Sequence, residues 1–362
     1  MTDWPVKTLD ALCDEGVVLL GRGNIISKKD IDANPGPYPI YSSARENEGK
    51  FGEYGAYMFN EEMITWSIDG GGRLFYRPKH KFSVTNVGGT LRVLKPDVLE
   101  IRYLHRALEN LHSRRVFDWV FKAHPSVIRK VYDEIPVPPL EEQKRIVELL
   151  DAANARITEL TACYEQARTH ANNLYTSALR DELEGSPDWP VKTLGDLCDI
   201  YQPQTIGMKD LIADGKYIVY GANGPIGRYD RFNHEKSEVT VTCRGATCGT
   251  VNVTPPEVWI TGNAMVVRPN EMEMSKEMMR YVLEGLDYSR IITGAAQPQI
   301  TRQALAPSTI QIQPLDEQKR IVARLDSMKA KTTEMVAAYD AKLAAAKNLR
   351  QSILEAAFGG DL

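Results

Sequence analysis

Apolar residues recur along one stretch of the chain at Ile146, Leu150, Ala153, Ile157, Leu160, Tyr164, Ala167, Ala171, Leu174 and Ala178, in steps that alternate between four and three. A repeat of 3.5 residues lays a single stripe along a helix, and over this length it predicts a coiled coil. Pro138-Pro139 before Leu140-Glu141-Glu142 supplies the start, because proline and acidic residues suit a first helical turn. Gly185-Ser186-Pro187 supplies the stop. A second stripe runs through Ile321, Leu325, Met328, Thr332, Met335, Tyr339, Lys342, Ala346, Leu349 and Ile353, where Thr332 and Lys342 interrupt it, and Gly359-Gly360 closes that helix. At 1.5 Å per residue, the helix over residues 140–183 is about 66 Å long. No small globular domain hides such a helix, so it packs on its own repeat as an antiparallel pair or on a partner subunit.

The segments that precede each helix read differently. Met63–Ile68, Phe82–Thr85, Leu91–Leu94, Val239–Thr242 and Ala264–Val267 are short runs rich in β-branched residues, separated by Gly- and Pro-containing turns. Residues 101–111 and 275–286 have helical spacing. The fold class expected is α+β: two β-rich globular domains and two long helices.

The chain is written twice. Asp3-Trp4-Pro5-Val6-Lys7-Thr8-Leu9 returns unchanged at residues 188–194, and Pro139–Val147 (PLEEQKRIV) returns at Pro314–Val322 as PLDEQKRIV. Tyr38-Pro39-Ile40-Tyr41 corresponds to Tyr217-Ile218-Val219-Tyr220, and Gly49, Gly52 and Tyr54 to Gly224, Gly227 and Tyr229. A repeat this long makes two domain-sized units, not a solenoid. The expected boundaries are 1–138 for the first domain, 139–185 for its helix, 186–312 for the second domain and 313–362 for its helix. Kept frames with divergent interiors point to two related sites that read different things.

Composition is that of an ordinary globular protein, 43% hydrophobic and 25% charged over 362 residues. Five cysteines fit a reducing compartment, no apolar run is long enough to span a membrane, and residues 1–15 lack the pattern of a signal peptide, so a cytoplasmic location is expected. There is no phosphate-binding G-x-x-x-x-G-K-[ST] loop and no dinucleotide fingerprint, and neither the six histidines nor Cys243 and Cys248 have metal-ligand spacing. No catalytic residue and no metal site are therefore assigned. The net charge of −4 conceals a gradient. Residues 73–132 hold 13 Lys and Arg against 4 Asp and Glu, interleaved with aromatics, whereas residues 1–72 hold 6 against 12. A basic, aromatic-rich stretch is the footprint of phosphate contacts. In the second interior the basic and acidic residues balance, and Arg244, Gln297, Gln299 and Arg302 are suited to base edges.

Two variable domains, each followed by a long helix opening Pro138-Pro139-Leu140-Glu141-Glu142-Gln143-Lys144-Arg145-Ile146-Val147 or Gln313-Pro314-Leu315-Asp316-Glu317-Gln318-Lys319-Arg320-Ile321-Val322, resemble the specificity subunit of type I restriction–modification systems. Trp4–Leu9, Gln297–Thr301 and the ending Ala356–Leu362 also fit, and the resemblance covers essentially the whole chain. It departs where His124-Pro125-Ser126-Val127 stands against Gln297-Pro298-Gln299-Ile300.

The resemblance implies that each domain is a target recognition domain reading one half of a split double-stranded DNA sequence. The helices form an antiparallel coiled coil that sets the gap. Two methyltransferase subunits, which use S-adenosylmethionine, dock on the chain, joined by restriction or motor subunits for cleavage; this chain carries no cofactor and no catalysis. Candidate DNA contacts are Arg73, Arg77, Lys79, Lys81, Arg114, Arg115 and Lys122 in the first domain, and Lys209, Arg228, Arg244, Gln297, Gln299 and Arg302 in the second. The expected seam is Ile146, Leu150, Ile157, Leu160 and Leu174 against Ile321, Leu325, Met328, Met335, Leu349 and Ile353. The rival class is a coiled-coil scaffold that bridges two copies of a partner protein without DNA.

Overall fold

The computed structural model describes residues 4–43, 47–69, 71–112, 114, 122–294 and 297–359. The chain forms two compact units, each taking part of both long helices: the first is residues 1–164 with 342–362, the second residues 165–341. The long helices run without a break over Leu140–Glu184 and Leu315–Gly359. Each has 45 residues and is therefore about 67 Å long.

In the first unit six strands form one sheet in the order Val18–Arg22, Gly88–Val93, Phe59–Ser67, Leu74–Val84, Tyr38–Tyr41 and Lys50–Tyr54. All neighbours are antiparallel except Tyr38–Tyr41, which runs parallel to the end of Leu74–Val84. Leu74–Val84 thus pairs on both sides and carries the sheet across. Helix Ile101–His112 buries Tyr103, Leu104 and Leu108 in the same core as Trp66, Leu91, Ile146 and Leu150.

The second unit builds the same outline from two sheets. Cys198–Tyr201, Ala264–Pro269, Val239–Thr242 and Val251–Val253 form one; Pro225–Tyr229, Tyr217–Tyr220 and Trp259–Ile260 form the other. The strand that is continuous in the first unit is here divided into Val251–Val253 and Trp259–Ile260. Pro255 and Pro256 lie in the gap and offer no N–H to a ladder, and Glu257 follows at φ +51°.

The repeated motif at the start of each long helix has a structural purpose. Gln143 is fully buried; its amide donates to the carbonyls of Val98 (3.0 Å) and Pro138 (2.8 Å), and its oxygen accepts from the Glu100 N–H (2.8 Å). Gln318, also fully buried, repeats this with the carbonyls of Glu273 (2.7 Å) and Gln313 (2.8 Å) and the N–H of Ser275 (2.8 Å). The two partner sets are offset by the same 175 residues as the motif itself. Each glutamine fastens the long helix to the first turn of its domain's helix, satisfying groups that would otherwise be buried without partners.

Within each unit the two long helices meet in opposite directions. In the first, Leu150 and Ile157 line a surface shared with Ile353 and Leu354, and Arg350 donates to Asn154 (2.7 Å). In the second, Arg168 pairs with Asp340 and Arg324 with Glu182. The seam departs from expectation at alternate positions. Ile146, Leu150, Ile157, Ile321 and Leu325 are buried, and Met328 and Ile353 half-buried, but Leu160, Leu174, Met335 and Leu349 are 40–51% exposed. The half-buried positions one residue on are Thr161, Tyr175 and Val336. Both series alternate threes and fours, so apolarity alone pointed to the leucine beside the seam in place of the Thr or Tyr within it. Thr332 is buried in the seam, its hydroxyl returned to the carbonyls of Met328 and Lys329.

Candidate nucleic-acid interface

The first unit gathers its cations around the strand Leu74–Val84. Arg73 is exposed, with its guanidinium 5.2 Å from the Phe75 ring centre. Lys79 and Lys81 are exposed, and the Lys81 ammonium lies over Tyr57 (4.8 Å) and Tyr38 (5.5 Å). Arg114 is exposed; Arg115 lies outside the described residues. Lys122 is exposed, holds a left-handed backbone (φ +45°) and forms an ion pair with Asp69 at 2.9 Å.

Arg77 is a correction. It is only 3% exposed, donates to Thr65 Oγ1 (3.0 Å) and the Glu48 carbonyl, and its guanidinium stacks 3.6 Å over Tyr41. Burial pulls its pKa down, against the pull of Tyr41 and Glu48. A guanidinium buried in this way anchors the left-handed pair Asn47-Glu48 and is turned away from the solvent a phosphate would occupy.

The basic excess of this interior is also smaller in space than along the chain. Arg129 pairs with Asp10 and Asp14, Arg92 with Glu61, and Lys122 with Asp69, so acidic residues from 1–72 fold back onto it. Arg102 and Arg106 pair with Asp151 at the start of the long helix. Among the described residues, the exposed cations without an ion pair are fewer than the sequence count, with Arg73, Lys79 and Lys81 grouped on one strand and the residue before it.

The second unit brings four of its candidates together. Arg244 and Gln299 form an antiparallel bridge, Gly245 N–H donates to Pro298 O (3.1 Å), and Thr293 bridges Gln299 from the other side. Arg244, Gln297 and Gln299 are exposed, and Arg302 opens the next short helix, also exposed. Lys209 and Arg228 belong to the other sheet region. Lys209 is exposed, whereas Arg228 donates to the carbonyls of Gly215 (2.6 Å) and Lys216 (2.8 Å) and so clamps its own loop.

Backbone hydrogen bonds align the two tips. Ile68 N–H donates to Val87 O and Ala123 N–H to Ile68 O; Cys243 N–H donates to Asn263 O and Ile300 N–H to Cys243 O. Ser67 exchanges bonds with Arg73 and Gly72 as Thr242 does with Thr250 and Gly249. Ile68 therefore corresponds to Cys243, Asp69 to Arg244, Ala123 to Ile300 and Lys122 to Gln299. This corrects the pairing of His124 with Gln297. His124 caps helix Pro125–Val131 as Thr301 caps Arg302–Leu305, so its counterpart is Thr301. The sequence reading missed Asp69, for which the pairing across the repeat was the available signal.

Cys13 and Cys198 are half-buried, and burial pushes both thiols up, Cys198 to about 12. Among the described residues no group of three or more His, Cys, Asp or Glu could hold a metal ion, and no helix is long and apolar enough to cross a membrane.

One scaffold used twice, with matching buried junctions and differing exposed tips, is the architecture of a two-domain specificity protein. The chain belongs to the type I restriction modification DNA specificity domain family, whose model matches residues 1–167 and again 187–344. Among curated relatives, the Mycoplasma pneumoniae protein designated type I specificity subunit S.MpnORF285P is 33% identical over 145 residues, 39% of this chain and 47% of that protein. The specificity subunit of the type I restriction enzyme MpnII, from the same organism, is 34% identical over 134 residues, 36% of this chain and 39% of that protein. The matched stretches thus span about half or less of these relatives. A chain solved in work on complex assembly and conformational transition of the type I R-M system superposes with a TM-score of 0.77 over 99% of this chain and 98% of that one, at 21% identity. The HsdS subunit from Thermoanaerobacter tengcongensis gives 0.55 over 96% and 97%, at 19% identity. These two likenesses establish the fold.

Proposed function

We propose that this chain is the DNA-reading subunit of a type I restriction–modification complex, each unit reading one half of a bipartite sequence and the long helices setting the gap. The observation that carries this reading is the pairing of identical buried latches with unlike exposed tips. Successive half-sites on one face of B-DNA lie about 34 Å apart per turn, and helices of about 67 Å are long enough to fix such a spacing. Exposed leucines beside the seam support docking of methyltransferase subunits: Leu149, Leu160 and Leu349 in the first unit, Leu174 in the second. Those partners would supply S-adenosylmethionine and the methyl-transfer chemistry, and restriction subunits the cleavage; this chain contributes recognition, in the cytoplasm. A cation set trimmed by internal ion pairs supports weak DNA binding by the chain alone, strengthened within the assembly.

Removing one heptad from each long helix tests the reading. The selected sequence is expected to keep both half-sites and change only its gap; an altered base within a half-site refutes the ruler.

A further inference from the structure

We infer that the matched tip residues are the base-reading pair of each unit: Asp69 with Lys122 reads a G·C pair in the first, and Arg244 with Gln299 reads guanine and adenine in the second. The inference rests on the DNA-reading function proposed above and adds which residues choose which bases.

Four observations carry it. The two pairs occupy one place in the frame, fixed by matching backbone hydrogen bonds on either side of Ile68 and Cys243. All four side chains reach solvent: Asp69, Lys122, Arg244 and Gln299 are exposed. Lys122 holds a left-handed backbone that a lysine rarely adopts, a strain that persists where the surroundings impose a particular orientation. Finally, the chemistry changes at this place while the frame around it does not.

The base preference follows from donors and acceptors. A carboxylate only accepts, and an ammonium only donates. A G·C pair presents the guanine O6 acceptor next to the cytosine N4 donor in the major groove. Asp69 and Lys122, 2.9 Å apart, offer the complementary acceptor and donor side by side. Without DNA they satisfy each other. Against a G·C edge, Asp69 accepts from N4 and Lys122 donates to O6 or N7; an A·T edge inverts the order of amino donor and carbonyl acceptor, and a T·A edge, which keeps that order, puts the thymine methyl group where guanine offers N7. In the second unit Arg244 matches the O6 and N7 of guanine, and Gln299 the N6 and N7 of adenine. Of the cations nearby, Arg77 is internal, and Arg73, exposed beside Phe75, is left for a phosphate.

The test selects binding sequences from randomised duplex DNA with the full chain in complex with its methyltransferase subunits, comparing wild type, Asp69→Ala/Lys122→Ala and Arg244→Ala. The wild type is expected to select a split sequence with G·C at one position of the first half. The double variant should relax that position alone by roughly 5- to 150-fold in base discrimination, leaving the second half and the gap unchanged. Arg244→Ala should relax one guanine of the second half alone. If the double variant loses all binding, Asp69→Asn, which exchanges one acceptor oxygen for a donor, decides by whether the G·C preference shifts. A wild-type complex that selects a split sequence which these variants leave unaltered overturns this inference alone. A wild-type complex that selects no sequence overturns the DNA-reading function and, with it, this assignment.

Discussion

The first unit carries one strand, Leu74–Val84, through the whole width of a single sheet, whereas the second breaks the equivalent strand at Pro255-Pro256 and builds two. The helices packed on these sheets differ as well. His105 in the first occupies the helical position of Arg280 in the second, each five residues beyond the N–H that bonds the latch glutamine. His105 is 8% exposed and leaves its Nε2 without a partner, whereas Arg280 reaches Asp326 on the long helix at 2.8 Å. Yet the latches themselves match bond for bond. The comparison teaches that this scaffold tolerates exchange of its interior, including a buried neutral group for an ion-paired one, provided the joint to the helix is kept.

The sharpest way to break that comparison is at the latch. Replacing Gln143 or Gln318 by alanine takes the partner from two carbonyls and one N–H, of which the Pro138 or Gln313 carbonyl is buried and the others half-buried, and is expected to cost about 3 kcal/mol in either unit. Denaturant unfolding of the two variants should give nearly equal losses; a loss confined to one unit would show that the joints are not equivalent.

The next effect separates the units by pH. Burial lowers the His105 pKa from 6.5 to about 4. The unfolded chain therefore binds a proton that the folded chain refuses, so stability present above pH 6.5 declines as pH falls toward about 4. The full loss is about 3 kcal/mol. His105→Asn should flatten the dependence over this window in thermal melts. Burial also lowers His112 and His234, so a residual slope from those groups is expected.

The smallest effect concerns phosphate contacts. Lys79→Ala should reduce the slope of log affinity against log salt by about 1, with no change of base preference, whereas Arg77→Ala should lower stability and leave the slope unchanged. An altered slope for Arg77→Ala would reinstate it as a phosphate contact.

Much of this architecture is legible in the sequence because its signals are local. Pro139 and Gly185 bracket the first long helix within a residue or so, and the β-branched runs at Met63 and Val239 lie in strands. The seam was readable in period and at most of its positions, but not at Leu160, Leu174, Met335 and Leu349. A 3.5-residue repeat is satisfied equally by Leu160 and Thr161, and what decides between them is the facing helix some 180 residues away in sequence. The candidate interface was less legible for the same reason. Charge counted along the chain is blind to Asp10 and Asp14 folding onto Arg129, and to the pocket that takes Arg77 out of solvent. Asp69 escaped notice because a carboxylate counts against DNA binding until its position opposite Lys122 is known.

The latch atoms have one more consequence. Every partner of Gln143 and of Gln318 is a main-chain group, a carbonyl or an N–H, so the joint asks nothing of the side chains in the domain it holds. A crossover between genes within residues 139–147 or 314–322 would therefore keep these bonds whichever domain of this backbone shape it joined, leaving the fit to be set by the apolar contacts of Ile146 and Leu150 and by the ion pairs of Asp151 and Asp326. The latch itself is portable because it is written in the atoms that all amino acids share.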